Sequence, residues 1–161
     1  MRIRPFMLLV VMLISVGVWA QSDPTIGTWK LNLAKSKYDP GPPAKSLTLK
    51  ITAVPGGIKV VSDGVNAQGQ ATHTEVTAMF DGKEYPRTAM AGGKPDATTY
   101  DSVMIKKIDA YNYDQTEKLK GQPFGVVHIT ISPDGKTRTT TGTGKTAQGQ
   151  PTNNVLVWDK Q

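Results

Sequence analysis

The sequence predicts an all-β protein, an up-and-down antiparallel β-barrel of eight to ten strands, on three observations. Apolar and polar residues alternate with period two, glycine-centred turns separate the alternating segments, and no segment shows the periodicity of an amphipathic helix. Closing such a meander removes its exposed sheet edges. A two-sheet β-sandwich of the same strands is the alternative.

An export signal precedes the strands. Arg2 and Arg4 are followed by an almost wholly apolar run from Phe6 to Ala20, too short and too abruptly ended for a membrane span. Val18-Trp19-Ala20 suits a bacterial-type cleavage site, so residues 1–20 read as a signal peptide and the mature chain as starting at Gln21. An uncleaved anchor is the alternative. The expected compartment is the periplasm or the outside of a bacterium, with no membrane span after signal removal. Taking 20 residues from 161 leaves 141, residues 21–161, one barrel domain able to bury roughly 68–70% of its unfolded surface.

The chain has no cysteine. That excludes a lipid-modified cysteine, disulfides, thiolate metal sites and thiol nucleophiles. Losing Arg2 and Arg4 lowers the formal charge from +6 to +4, carried mostly by dispersed lysines. Nucleic-acid binders cluster basic and stacking residues on one face, so no nucleic-acid partner is expected. The densest basic group, Lys35, Lys37 and Lys45 around Tyr38, reads as a solvated loop.

The first strand, Thr25 to Leu33, opens on Gly27-Thr28-Trp29 and sets Trp29, Leu31 and Leu33 on one face against Thr28, Lys30 and Asn32. The connection from Ala34 to Ser46 contains Pro40, Gly41, Pro42 and Pro43, which exclude a long helix but allow one turn near Ala34 to Ser36. It is expected to cover one barrel end, as a lid or as a plug packed by Tyr38. Ser46 to Val54 turns Leu47, Leu49, Ile51 and Ala53 inward, and Pro55-Gly56-Gly57 reverses the chain into Ile58 to Asp63. Further strands are expected at Ala71 to Phe80, Glu84 to Met90, Thr98 to Ile108, Tyr111 to Lys120, Val126 to Ser132, Thr137 to Thr143 and Thr152 to Lys160. Asp81-Gly82-Lys83 and Asp134-Gly135-Lys136 are tight-turn signals between them. Gly64 to Gln70 is echoed by Gly144 to Gln150, which two equivalent hairpin loops with a glycine at a left-handed position would explain.

Catalytic patterns are sparse. His73 and Glu75 share a strand face, and with His128 they sketch a weak two-histidine, one-carboxylate metal site. Gly142-Thr143-Gly144-Lys145-Thr146 imitates the end of a phosphate loop, but Thr139 stands where a glycine is required and another turn follows instead of a helix. No serine lies in a G-x-S-x-G elbow. Nothing calls for a cofactor.

Gly27-Thr28-Trp29-Lys30-Leu31 resembles the first-strand signature of the calycins, the lipocalins and fatty-acid-binding proteins, and Val157-Trp158-Asp159-Lys160 resembles their last strand. The run Gly27 to Ser46, Asp134-Gly135-Lys136 and the tail Ala147 to Gln161 are most similar to uncharacterised exported bacterial lipocalin-like proteins. The resemblance implies a barrel with an internal pocket. Fatty-acid-binding proteins hold the ligand carboxylate with an Arg-x-Tyr pair on the last strands, where this chain has Leu156 and Trp158, so that clamp is missing. The arginine that covers the lipocalin tryptophan is also missing, which leaves Lys160 to cover Trp29.

The expected function is therefore binding, without catalysis, of a small apolar or amphiphilic ligand inside the barrel. Met79, Met90, Met104 and Tyr100 are its expected lining, with Arg87 and Arg138 for an anionic head group, while Trp29 and Trp158 close the barrel by packing. An envelope interaction module with a filled barrel and a metal-dependent enzyme are the alternatives.

Overall fold

The computed structural model describes residues 23–161, so the signal-peptide assignment lies outside the described residues. The strands are β1 (Gly27–Leu31), β2 (Ser46–Val54), β3 (Gly57–Val65), β4 (Ala71–Met79), β5 (Tyr85–Ala91), β6 (Lys94–Pro95), β7 (Ser102–Lys107), β8 (Asn112–Leu119), β9 (Gln122–Ile131), β10 (Thr137–Lys145) and β11 (Pro151–Lys160). Every pairing is antiparallel, and the two-residue β6 folds back on β5. The other ten strands form a closed ring, because β4 pairs with β5 and β1 pairs with β11. A sandwich would leave four edges; this ring leaves none, which removes that alternative.

The period-two pattern selects the core. Trp29, Ile51, Ile58, Ala78, Val103, Tyr113, Ile129, Ile131 and Trp158 are buried inward positions on eight strands and form one cluster. Trp29 has no exposed surface, and its indole Nε1 donates to the Thr25 carbonyl at 2.8 Å. Lys160 lies over the same ring, with Nζ 4.9 Å from its centroid. The base is closed from outside by the turn before β1. Asp23 accepts from Lys107 Nζ at 2.5 Å and from the Tyr113 hydroxyl, and Lys160 Nζ donates to the Pro24 carbonyl at 3.2 Å.

The sequence-based boundaries fail where turn chemistry is cryptic. Thr98 to Asp101 is not strand. The chain reverses at Gly92-Gly93 (φ 56° and 76°), and Asp96 N still donates to the Ala89 carbonyl. The next bond to β5 is Arg87 N to the Asp101 carbonyl, so Ala97 to Tyr100 bulge out of the ladder opposite Thr88. β9 begins at Gln122, ahead of the expected Val126, because Lys120 and Gly121 both adopt positive φ and form a two-residue turn.

The proline-rich connection starts with the anticipated helical turn, a 3₁₀ turn over Leu33–Lys35. Its next residues do not span the mouth. Lys37 pairs with Val155, and Asn153 N donates to the Asp39 carbonyl, so residues 37–39 continue the wall beside β11. Tyr38 packs against the core from that position. The two echoed loops do match: Gly69 N donates to Asn66 O and Asn66 N to Gln70 O, as Gly149 N does to Thr146 O and Thr146 N to Gln150 O. Gly69 and Gly149 hold φ of 86° and 82°. Among the described residues no helix is long and apolar enough to cross a membrane.

Candidate functional site

The barrel interior is not filled by side chains. A cavity of about 230 Å³ runs between the walls, with Leu49, Ile58, Val60, Val76, Ile105 and Ile129 supplying apolar lining. A second void of about 290 Å³ shares Tyr100, Glu117, Val127, Thr140 and Leu156 with it and opens toward solvent. Each is near the lower limit of the 300–1,000 Å³ typical of small-molecule sites. The outer void exists because the inward register of β9 and β10 places Gly125, Gly142 and Gly144 where side chains would otherwise stand. An extra residue in β9, opposite Glu117 and Lys118, turns Phe124 against Tyr100, with ring centroids 6.1 Å apart.

Arg138 occupies the deep end. Its register position, opposite Trp158 on β11 and Ile131 on β9, forces the side chain inward, and it is only 7% exposed. Nη1 donates to Thr25 Oγ1 at 2.9 Å, whereas Nε is buried with no acceptor. No carboxylate among the described residues lies within ion-pair distance of it. Burial pushes the guanidinium down to about 10, an effect opposed by the Tyr113 and Tyr100 hydroxyls, so it remains cationic at neutral pH. A buried cation without a counter-charge is costly, and here it faces a cavity.

Beneath Arg138, the Asp23 carboxylate anchors the base. Burial would raise it, but hydrogen bonds from Lys107, Tyr113 and Thr25 N hold it below its ordinary value. Burial and the neighbouring Asp23 in turn hold the Tyr113 hydroxyl far above the ordinary tyrosine range. The group is internally satisfied and reads as structural.

A second polar group lies toward the mouth. Arg87 points inward from β5, donates from Nη1 to the Tyr100 carbonyl at 2.8 Å and stacks 3.9 Å from the Tyr100 ring centroid. The bulge of residues 97–100 is what brings Tyr100 over it. Glu117 faces the same space from β8 and accepts from Gln115 Nε2 at 2.8 Å. Burial raises the Glu117 carboxyl, against hydrogen bonds from Gln115 and Tyr100 and the charge of Arg87. Burial likewise pushes the Tyr100 hydroxyl up to about 12.

Of the residues expected to line the site, Arg87, Arg138 and Tyr100 do face the cavity. The methionines do not. Met79, Met90 and Met104 lie at positions alternating with the inward Ala78, Ala89 and Val103, so strand register turns them to the outer face. The three metal candidates also lie outside and apart. His73 Nδ1 bonds Asp63 at 2.7 Å, Glu75 pairs with Lys59 at 2.7 Å, and His128 Nδ1 bonds Asp114 at 2.7 Å. β5, β7 and β8 separate β4 from β9 around the ring, so these residues build no common site. Trp29 and Trp158 are core residues, Trp158 also forming cavity wall and donating from Nε1 toward Thr140 Oγ1 at 3.4 Å.

Thr25, Gln115 and Glu117 were not foreseen as site residues. Strand β8, Asn112-Tyr113-Asp114-Gln115-Thr116-Glu117-Lys118-Leu119, is polar on both faces, so alternation gives no clue to its inward side. Only the cross-strand register, with Tyr113 opposite Ile129, identifies it.

The described residues thus define a closed barrel: ten antiparallel strands in a meander around an interior void. The same fold is found in the zebrafish ileal bile acid-binding protein solved in complex with cholic acid. That chain superposes with a TM-score of 0.52 at 16% identity, over 86% of this chain and 99% of its own. At that identity the likeness speaks for the fold. No family model matches the sequence, and no curated protein matches it.

Proposed function

We propose that this protein is an exported, non-catalytic carrier that holds one small amphiphilic molecule inside its barrel, with the ligand's anionic end at Arg138. The observation that carries this reading is the buried guanidinium facing a cavity with no carboxylate partner and an unsatisfied Nε. A ligand carboxylate, sulfonate or similar anion would supply the missing counter-charge through charge-assisted hydrogen bonds. The apolar side chains of β2, β3, β4, β7 and β9 would take its hydrocarbon part by desolvation and shape. The likeness to a bile acid-binding barrel supports a small hydrophobic ligand in general terms.

Export rests on Arg2, Arg4 and the apolar run to Ala20, and the narrower kinship with exported bacterial lipocalin-like proteins rests on the motifs quoted above. Periplasmic or extracellular residence follows from the same signal. An interaction module would use a filled barrel, which the cavity disfavours, and a metal enzyme would need the histidines together.

The test is native mass spectrometry of the protein purified from its own compartment, followed by solvent extraction. A co-purifying acidic amphiphile is expected. A clean apo mass, unchanged by added dodecanoate, overturns the proposal.

A further inference from the structure

Most polar side chains of the cavity are already engaged within the protein. Thr25 Oγ1 accepts from Arg138, Thr140 Oγ1 accepts from Trp158, and Asp23 holds the Tyr113 hydroxyl. Glu117 is hydrogen-bonded by Gln115 and Tyr100, and Arg87 donates to the Tyr100 carbonyl. These groups have their partners without a ligand.

Ser62 and Thr74 differ. Both line the cavity, one from β3 and one from β4, and the register sets them directly opposite each other. Ser62 is only 9% exposed, yet neither hydroxyl hydrogen-bonds another described residue. Their surroundings are apolar on three sides. Leu49 stands opposite Ser62 on β2, Ala89 stands opposite Thr74 on β5, and Val60 faces Val76 in the next inward pair toward the base. The neighbouring cation, Arg87 opposite Val76, is turned to the carbonyl and ring of Tyr100. A buried hydroxyl without a partner is costly, and the inward β3 positions nearer the base are Ile58 and Val60, so packing alone would be served by another apolar residue.

Directly opposed residues have Cβ atoms about 4.5–5.5 Å apart, so both hydroxyls can reach one oxygen placed between them. Each can donate or accept. An uncharged pair of this kind matches a neutral oxygen: a ligand hydroxyl, which gives one bond and takes one, or a keto oxygen, which takes two.

We infer that Ser62 and Thr74 form a second polar subsite, and that the ligand is a hydroxy or keto acid with its acid group at Arg138 and its neutral oxygen between the two hydroxyls. This rests on the carrier reading and narrows it. Against apolar wall, a ligand hydroxyl loses its water partners and weakens binding roughly tenfold. Over Ser62 and Thr74 that loss disappears. The separation of this pair from Arg138 then selects the position of the oxygen along the ligand.

The experiment is calorimetric titration of the mature protein, and of the double variant Ser62→Ala, Thr74→Val, with dodecanoate and with the positional isomers of hydroxydodecanoate. The two substitutions remove both hydroxyls with little change of shape. In the native protein, the isomer whose hydroxyl falls between Ser62 and Thr74 is expected to bind at least as tightly as dodecanoate, and the others roughly tenfold more weakly. The double variant is expected to bind dodecanoate unchanged or more tightly and every isomer roughly tenfold more weakly than dodecanoate. No preferred isomer in the native protein, or a preference that survives in the variant, would overturn the inference while leaving the carrier reading intact. If the double variant does not fold, Ser62→Ala alone carries the same comparison. Binding of none of these acids would overturn both readings.

Discussion

Replacing Arg138 by methionine should make the protein more stable and a poorer binder of anions. Arg138→Met keeps a long, flexible side chain in the space while removing a buried charge that no carboxylate balances. Exchanging buried ionic groups for apolar ones of similar volume is neutral or stabilising by about 1–4 kcal/mol. The lost hydrogen bond to Thr25 Oγ1 subtracts about 1 kcal/mol. The net gain of about 0–3 kcal/mol corresponds, at about 3–4 °C per kcal/mol for this chain length, to a rise of up to about 10 °C in the thermal midpoint. Binding moves the other way. A charge-assisted hydrogen bond to a ligand carboxylate contributes about 1.5–3 kcal/mol, so dodecanoate affinity should fall roughly 10- to 150-fold, while dodecanol, which has no charge, should hardly change. The midpoint is read by circular dichroism in ligand-free buffer and the affinities by calorimetry. A lower midpoint together with unchanged dodecanoate affinity would refute the argument, because it would make Arg138 a structural residue.

Glu117→Gln should stabilise the protein at neutral pH. Its folded-state carboxyl titrates above the unfolded one, so the stability it contributes is complete below about pH 4 and is lost as pH rises through the folded value; equal urea midpoints for both proteins at pH 7 would contradict this. Asp23 has the opposite sign. Its folded carboxyl is depressed, so its contribution is present above about pH 4 and is lost as pH falls through the lower folded value, and Asp23→Asn should flatten the acid limb of the stability curve. Trp29→Ala, at a site with no exposed surface, should cost about 3–5 kcal/mol by urea denaturation. Gly149→Ala meets no atom within 4 Å, so its expected cost of about 1 kcal/mol comes from the positive φ alone.

The barrel was legible because alternation and strong turns agree over most of its circumference. Leu47, Leu49 and Ile51 face inward as their spacing requires, and Pro55-Gly56 makes the β2–β3 reversal with Gly56 at φ 73°. Legibility ends where both faces of a strand carry similar residues. Met79, Met90 and Met104 were apolar enough for either face, and only register, which a one-residue slip inverts, turns them outward. The site divides in the same way. An arginine in a β-protein draws attention by its charge, so Arg87 and Arg138 stood out, but a glutamate and a glutamine in an evenly polar strand did not. The bulge that delivers Tyr100 depends on a ladder interrupted between Asp96 and Asp101, a feature no local pattern encodes.

The pairing of β1 with β11 fixes the order in which this molecule can become complete. Trp29 is opposite Lys160, and Pro24 is held by the same lysine, so the first strand reaches its final environment only when the last residues of the chain are present. Every intermediate length of nascent chain has two unpaired edges and an uncovered tryptophan. Closure of the ring therefore waits for β11 and carries the slow kinetics of distant contacts. A chain held open until β11 is available stays threadable, a property that would serve the export proposed above.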